Sequence, residues 1–369
     1  MKKDFNYWKN LYDSNNLVEF NSDYTAQLWL KTKSIMRREL IFEFTEKYSI
    51  VLKAKTINEQ FKELFLFFQE DLSRSHDQLD LYIKEKNKQI LKSLDRKHLV
   101  SELYKMRIFE WGGDYQNSLE KYLVSHYVKT VVSYEELMSK FEKEINRAVQ
   151  GYVLNSWYNH WSSILIEYIF KSHSSVLPTV GQIKNVDFFI KNIPFDLKVT
   201  YFPLEYLKYK RREKGFPVEL TFLKSKAREL SIDFDKTANS SDIYYEIIEK
   251  LKDRNNQRSL DVLNQLKSEN MGIVKEAQQN PKLLAKWLYE NQGEMRFGAE
   301  NRLFLILVDT DNFSNSWKLK RNLELLKPTI NTFLDAFSSK KISDLKVDFN
   351  YHGKAPTFTV LTDIIFVLR

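Results

Sequence analysis

The first glycine of this chain is Gly112 and the first proline is Pro178. Residues 25–110 therefore lack both strong breakers, and they are rich in Lys, Glu, Leu and Phe. That composition predicts long amphipathic helices. The segments 58–72 (NEQFKELFLFFQEDL) and 98–111 (HLVSELYKMRIFEW) repeat apolar residues at helical spacing. Trp111-Gly112-Gly113-Asp114 reads as a turn closing this block, and 116–149 as further helix.

The character changes near residue 150. A helix is expected over 155–172, then short strands at 176–180, 185–191 and 194–202. Residues 204–214 read as a charged linker or helix start, and 224–291 as polar helix. RLFLILVD (302–309) is a continuous apolar run between polar flanks, the pattern of a strand buried on both faces. Helix 319–337 follows, and LKVDFNYH and FTVLTDIIFVLR close the chain as strands. The order predicts an α/β fold (an α+β mixed sheet) over 151–369, behind a helical region, 1–150, and with a helical insertion at about 204–291.

Composition narrows the chemistry. The 369 residues include no cysteine, which excludes disulfides, thiolate catalysis and zinc–cysteine sites. The start, MKKDFNYWKN, has no apolar run after its lysines, and no stretch approaches the roughly 20 apolar residues of a membrane span. A cytoplasmic protein with no membrane partner is expected. The six histidines show no metal-ligand spacing, and no phosphate-binding glycine loop, GxSxG elbow or dinucleotide fingerprint is present. The net charge of +8 suits a nucleic-acid partner, but charge alone is accounted for more readily by a Lys- and Asn-rich proteome.

The sharpest chemical clue is NVDFFIKNIPFDLKVTYF (185–202), two apolar strands around a tight turn. Asp187, Asp196 and Lys198 interrupt strands that otherwise exclude charge, and burying such groups unpaired costs several kcal/mol. With Lys191-Asn192 as the turn, Ile190 pairs with Ile193, and Asp187 falls opposite Asp196. Lys198, two residues on, shares the Asp196 face. Two opposed carboxylates repel, and a divalent cation relieves that repulsion. Mg²⁺ prefers such an oxygen-rich, partly hydrated site. Asp187 and Asp196 would ligate it, with the Leu197 carbonyl a further donor. Lys198 would orient a water and stabilise charge on a phosphate. Glu167, flanked by Ile164, Leu165, Ile166, Ile169 and Phe170, is either a third site acid or an exposed helix residue. Thr200 continues the Asp196–Lys198 face and is placed to meet a phosphate. The alternative for the whole hairpin is a solvated sheet edge.

Glu167, Val186-Asp187 and Asp196-Leu197-Lys198 resemble the acid, Asp and Asp-x-Lys pattern of the PD-(D/E)xK nuclease superfamily. Val186 replaces the familiar proline. The resemblance covers about 155–202; in size and helical additions it is most like a type II restriction endonuclease. It implies a restriction-endonuclease-like core, Mg²⁺ dependence and hydrolysis of phosphodiester bonds in double-stranded DNA. The acid-x-Lys triplets Asp95-Arg96-Lys97 and Asp344-Leu345-Lys346 lack the apolar hairpin and partner acid.

Basic residues extend this reading. Lys208, Lys210, Arg211 and Arg212, directly after the hairpin, are expected DNA contacts. Arg296, Asn301 and Arg302, before the apolar strand, are expected to read bases, Arg at guanine and Asn at adenine. A structural loop or a solvated charged helix is the competing account of both groups. Trp317, within a basic-aromatic patch, is expected to pack. A sequence-specific restriction enzyme acting as a homodimer is the first expectation. A repair, transposition or phage-defence nuclease, or an inactive DNA-binding core, are the others.

Overall fold

The computed structural model describes residues 3–107, 109, 119–291 and 300–369. The N-terminal region is helical, but its helices are mostly short: Phe5–Asp13, Tyr24–Ser34, Arg38–Lys47, Ile57–Phe68, Leu72–Lys92 and Arg96–Tyr104. Caps supply the punctuation that glycine and proline do not. The side chains of Asp4, Asp23, Thr56, Asp71 and Asp95 each accept a backbone N–H from the helix they precede. Asn15 and Ser49 adopt positive φ just past two helix ends, the place glycine usually takes. Asp95 of the first decoy triplet is thus a helix cap, and Asp344 of the second accepts the backbone N–H of Lys341. The expected turn at 111–114 lies outside the described residues. The helix expected from 155 starts earlier, running Asn146–Lys171.

Among the described residues, six strands form one mixed sheet. They are β1 (Val176–Ile183), β2 (Val186–Ile190), β3 (Ile193–Tyr201), β4 (Arg302–Val308), β5 (Lys346–Asn350) and β6 (Thr357–Leu368), in the order β1-β2-β3-β4-β6-β5. The hairpin register is the expected one: Ile190 opposes Ile193, Phe189 opposes Pro194 and Phe188 opposes Phe195. Lys191 and Asn192 form its turn with φ of 52° and 65°, the left-handed pair that a twisted two-residue hairpin requires. β4 lies parallel to β3 and to β6, and every one of its residues is buried. This explains its unbroken apolar pattern. The helix expected at 319–337 is divided: a 3₁₀ stretch, Phe313–Arg321, precedes Leu323–Phe337. Asn322 caps the second piece by accepting the Leu325 N–H.

The sheet carries an apolar core on each face. Helices Asn146–Lys171 and Leu323–Phe337 contribute to the core with Phe188, Phe195, Leu303, Leu305 and Leu307. On the other face, Phe202, Phe304, Ile306 and Val308 pack with residues of Gln257–Gln279 and Pro281–Asn291. The helices from Phe5–Asp13 to Leu72–Lys92 share their core with the sheet. Trp8, Phe20, Trp29 and Phe65 share one cluster with Leu177, Ile183, Val186 and Phe189 of β1 and β2. Contact there is close: the Cβ of any larger residue at Gly181 would come within 2.2 Å of the Ser34 carbonyl oxygen. Part of the insertion, from Phe222 to Leu266, holds a small core of its own. No helix among the described residues is long and apolar enough to cross a membrane.

Candidate active site

The hairpin ladder ends at the Phe188–Phe195 pair. Hydrogen-bonded pairs alternate along an antiparallel ladder, so the Leu197 N–H would next meet the Val186 carbonyl. Instead it donates to the Asp187 carboxylate at 2.8 Å. The strands part at this point, and the Leu197 carbonyl, on the same strand edge as its N–H, faces the gap. Burial pushes the Asp187 carboxyl up to about 6; the Leu197 amide opposes the rise, while the charges of Asp196 and Glu167 add to it.

Asp196, opposite, is 7% exposed and interacts with two cations. Lys198 Nζ lies 3.0 Å from its Oδ2, as expected for residues sharing a strand face. Arg302 Nε approaches the same oxygen at 3.5 Å because the parallel register sets Asp196 beside Arg302. Arg302 Nη2 is also 3.5 Å from Glu300 Oε2. The remaining Glu300 oxygen accepts from Asn185 of the β1–β2 turn, and the Tyr289 hydroxyl donates to the Glu300 backbone carbonyl at 2.9 Å. Burial lifts the Glu300 carboxyl to about 7, against the pull of Arg302 and with the repulsion of Asp196. Lys198 is the open side of this group, its side chain 41% exposed.

The structure thus brings Asp187, Asp196 and Lys198 together and adds Glu300 and Arg302. Glu167 lies near enough for its charge to raise the Asp187 carboxyl, and its carboxylate accepts from Lys171 Nζ at 2.7 Å, one turn along the same helix. Among the described residues no three His, Asp or Glu side chains are placed to hold one metal ion. The candidate oxygen donors where the strands part are the Asp187 and Asp196 carboxylates and the Leu197 carbonyl. That set suits Mg²⁺, which keeps several of its waters. Thr200 is half-buried beside Ile306 in the β3–β4 register.

Several expected DNA contacts require correction. Arg211 is fully buried, donating to the Pro217 carbonyl at 2.8 Å, Asn270 Oδ1 at 2.7 Å and Glu269 Oε2 at 2.7 Å. Lys210 is 9% exposed and paired with Glu213 and Glu276. These two side chains fasten helix Leu204–Glu213 to Gln257–Gln279. Lys208 pairs with Glu205 at 2.6 Å, and Arg212 remains exposed. Asn301 is buried, donating to Asn21 and to the Pro194 carbonyl and accepting from Leu361 N, so its amide is committed to joining strands. Arg302, 4% exposed, belongs to the site and not to a base-reading surface. Arg296 lies outside the described residues. Trp317 packs against Phe109 and Tyr158, as expected.

Glu300 escaped the sequence reading, although an acid two residues before an apolar strand pair is visible there. Its relevance depends on the β3–β4 register, which no local pattern reveals. Comparisons with protein-family models, with curated proteins and with solved structures find no match for this chain.

Proposed function

We propose that the chain is an Mg²⁺-dependent DNA endonuclease hydrolysing phosphodiester bonds, built on a restriction-endonuclease-like core. The observation that carries this reading is the parting of β2 and β3 beyond Phe188–Phe195, where the charges of Asp187 and Asp196 bear on each other and a lysine lies 3.0 Å from Asp196. Asp187 and Asp196 would hold the ion, with the Leu197 carbonyl as a further donor. Bound Mg²⁺ supplies Lewis-acid polarisation of a phosphoryl oxygen and an acidified water. Lys198, the exposed member, orients that water and meets charge building on the phosphate. Thr200 extends the same face toward the backbone of the nucleic acid.

Charge supports this assignment. With Asp187, Asp196 and Glu300 ionised, Lys198 and Arg302 leave the cluster one negative charge in excess. A divalent ion reverses that sign and favours a phosphodiester. Ligation would favour the ionised form of Asp187, whose carboxyl burial has raised. Two-fold pairing of the chain would set one such site on each strand of a palindromic DNA sequence.

The test is cleavage of supercoiled plasmid with Mg²⁺ and with EDTA. Asp196→Ala and Lys198→Ala are expected to lower the rate by about 10²-fold or more. Full cleavage by either variant sinks this site. Discrete fragments from defined DNA point to a restriction enzyme, and unspecific or structure-dependent cutting to a repair or defence nuclease. EDTA-resistant binding without cleavage marks an inactive DNA-binding core.

A further inference from the structure

Arg302 is an unusual neighbour for metal-binding carboxylates. Its guanidinium is buried between two acids, with Nε 3.5 Å from Asp196 Oδ2 and Nη2 3.5 Å from Glu300 Oε2. Arginine that is hydrogen-bonded to one carboxylate sits closer, at about 2.7–2.9 Å. At these distances the cation is shared between both acids. Glu300 is 1% exposed, so its Oε2 meets the guanidinium away from solvent. The arrangement is built from several elements. Asn185 holds the other Glu300 oxygen, the Tyr289 hydroxyl holds the Glu300 backbone, and the Tyr289 ring lies 5.4 Å from the guanidinium.

Two-metal phosphodiesterases clamp their substrate with ions about 3.5–4 Å apart. Asp196 is the carboxylate such a pair would share here. The first ion is proposed between it and Asp187. Arg302 approaches the same Asp196 oxygen that Lys198 meets, and it fills the gap between Asp196 and Glu300. We infer that Arg302 is the built-in second cation of this site, so that one divalent ion binds per chain where a two-metal enzyme holds two. This rests on the metal-site reading above. Arginine stays charged at every working pH and presents a planar fork matched to phosphate oxygens. It therefore offers the second positive charge without recruiting it from solution, and it repels a second ion from the Asp196–Glu300 gap.

The experiment counts ions on the full chain, using Mn²⁺ alone as the probe in calorimetric titration. The unsubstituted protein is expected to bind one. Arg302→Met, which frees the two acids, is expected to bind two. Adding Glu300→Gln to it returns the count to one, and Arg302→Lys, which keeps a cation, stays at one. Two ions on the unsubstituted protein overturn the inference. So does an Arg302→Met variant that still binds one ion with unchanged affinity, or none. If Arg302→Met does not fold, electron paramagnetic resonance of the unsubstituted protein decides. An isolated Mn²⁺ signal supports the inference and a spin-coupled pair refutes it. A protein that binds no Mn²⁺, with Asp187→Asn equally inert, defeats the metal-site reading itself, and this result is distinguishable from all the others.

Discussion

Asp187 should make the fold less stable than it need be at neutral pH. Its carboxyl titrates at about 6 in the folded chain, against an ordinary value near 3.8. Between those limits the unfolded chain has released the proton and the folded chain has kept it. Stability therefore falls as pH rises through this window, and the full penalty stands above it. At about 1.4 kcal/mol per pH unit, the displacement is worth about 3 kcal/mol. Partial exposure screens some of this and leaves about 2 kcal/mol. Asp187→Asn removes the charge but keeps an oxygen for the Leu197 N–H. Urea denaturation at about pH 8 should find the variant about 2 kcal/mol more stable than the unsubstituted protein, and at about pH 3.5 the difference should vanish. Mg²⁺ at a hundred times its dissociation constant should then stabilise the unsubstituted protein by about 2.7 kcal/mol and the variant by much less. A variant no more stable at high pH, or a difference independent of pH, would refute the reasoning.

Other substitutions test the architecture. Arg211→Met strands the half-buried Glu269 and the buried Asn270 and should cost about 3–5 kcal/mol in urea denaturation, whereas Arg212→Ala at the exposed neighbour should stay within about 0.5 kcal/mol. A stable Arg211→Met protein with weakened DNA binding would restore the surface role. Gly181→Ala drives a Cβ onto the Ser34 carbonyl and should destabilise by about 1–3 kcal/mol in thermal melting. An unchanged melting point would mean that the N-terminal helices give way easily. Asn192→Val places a β-branched residue at φ 65° and should cost about 1–2 kcal/mol, while Asn192→Gly should not destabilise; equal melting of the two variants contradicts the turn geometry.

The hairpin was legible because its information is local: apolar runs, a two-residue turn and a register counted outward from it. β4 was legible as well, since a central parallel strand buried on both faces leaves no polar alternation. What stayed hidden depends on partners distant in sequence. Arg211 looks like one more charge in YLKYKRREK until Glu269 and Asn270 come beside it. Asn301 and Arg302 look like groove readers until the β3–β4 register seats them beside Pro194 and Asp196. In the N-terminal region composition indicated helix, but the stops are written in Asp and Thr caps, a weaker signal than proline or glycine.

The shared core of the N-terminal helices with β1 and β2 bears on how such a protein can be taken apart. β1 is the outermost strand of the sheet on the hairpin side. Helices Tyr24–Ser34 and Leu72–Lys92 contact it, and Ser34 Oγ accepts the Val180 N–H along it. A chain begun at residue 151 would keep the proposed catalytic residues but bare an apolar strand with open backbone groups, a template for pairing with its own kind. Such a fragment should aggregate on expression. The helical half therefore doubles as an internal chaperone for the hairpin, and the boundary visible in composition near residue 150 is a poor place to cut.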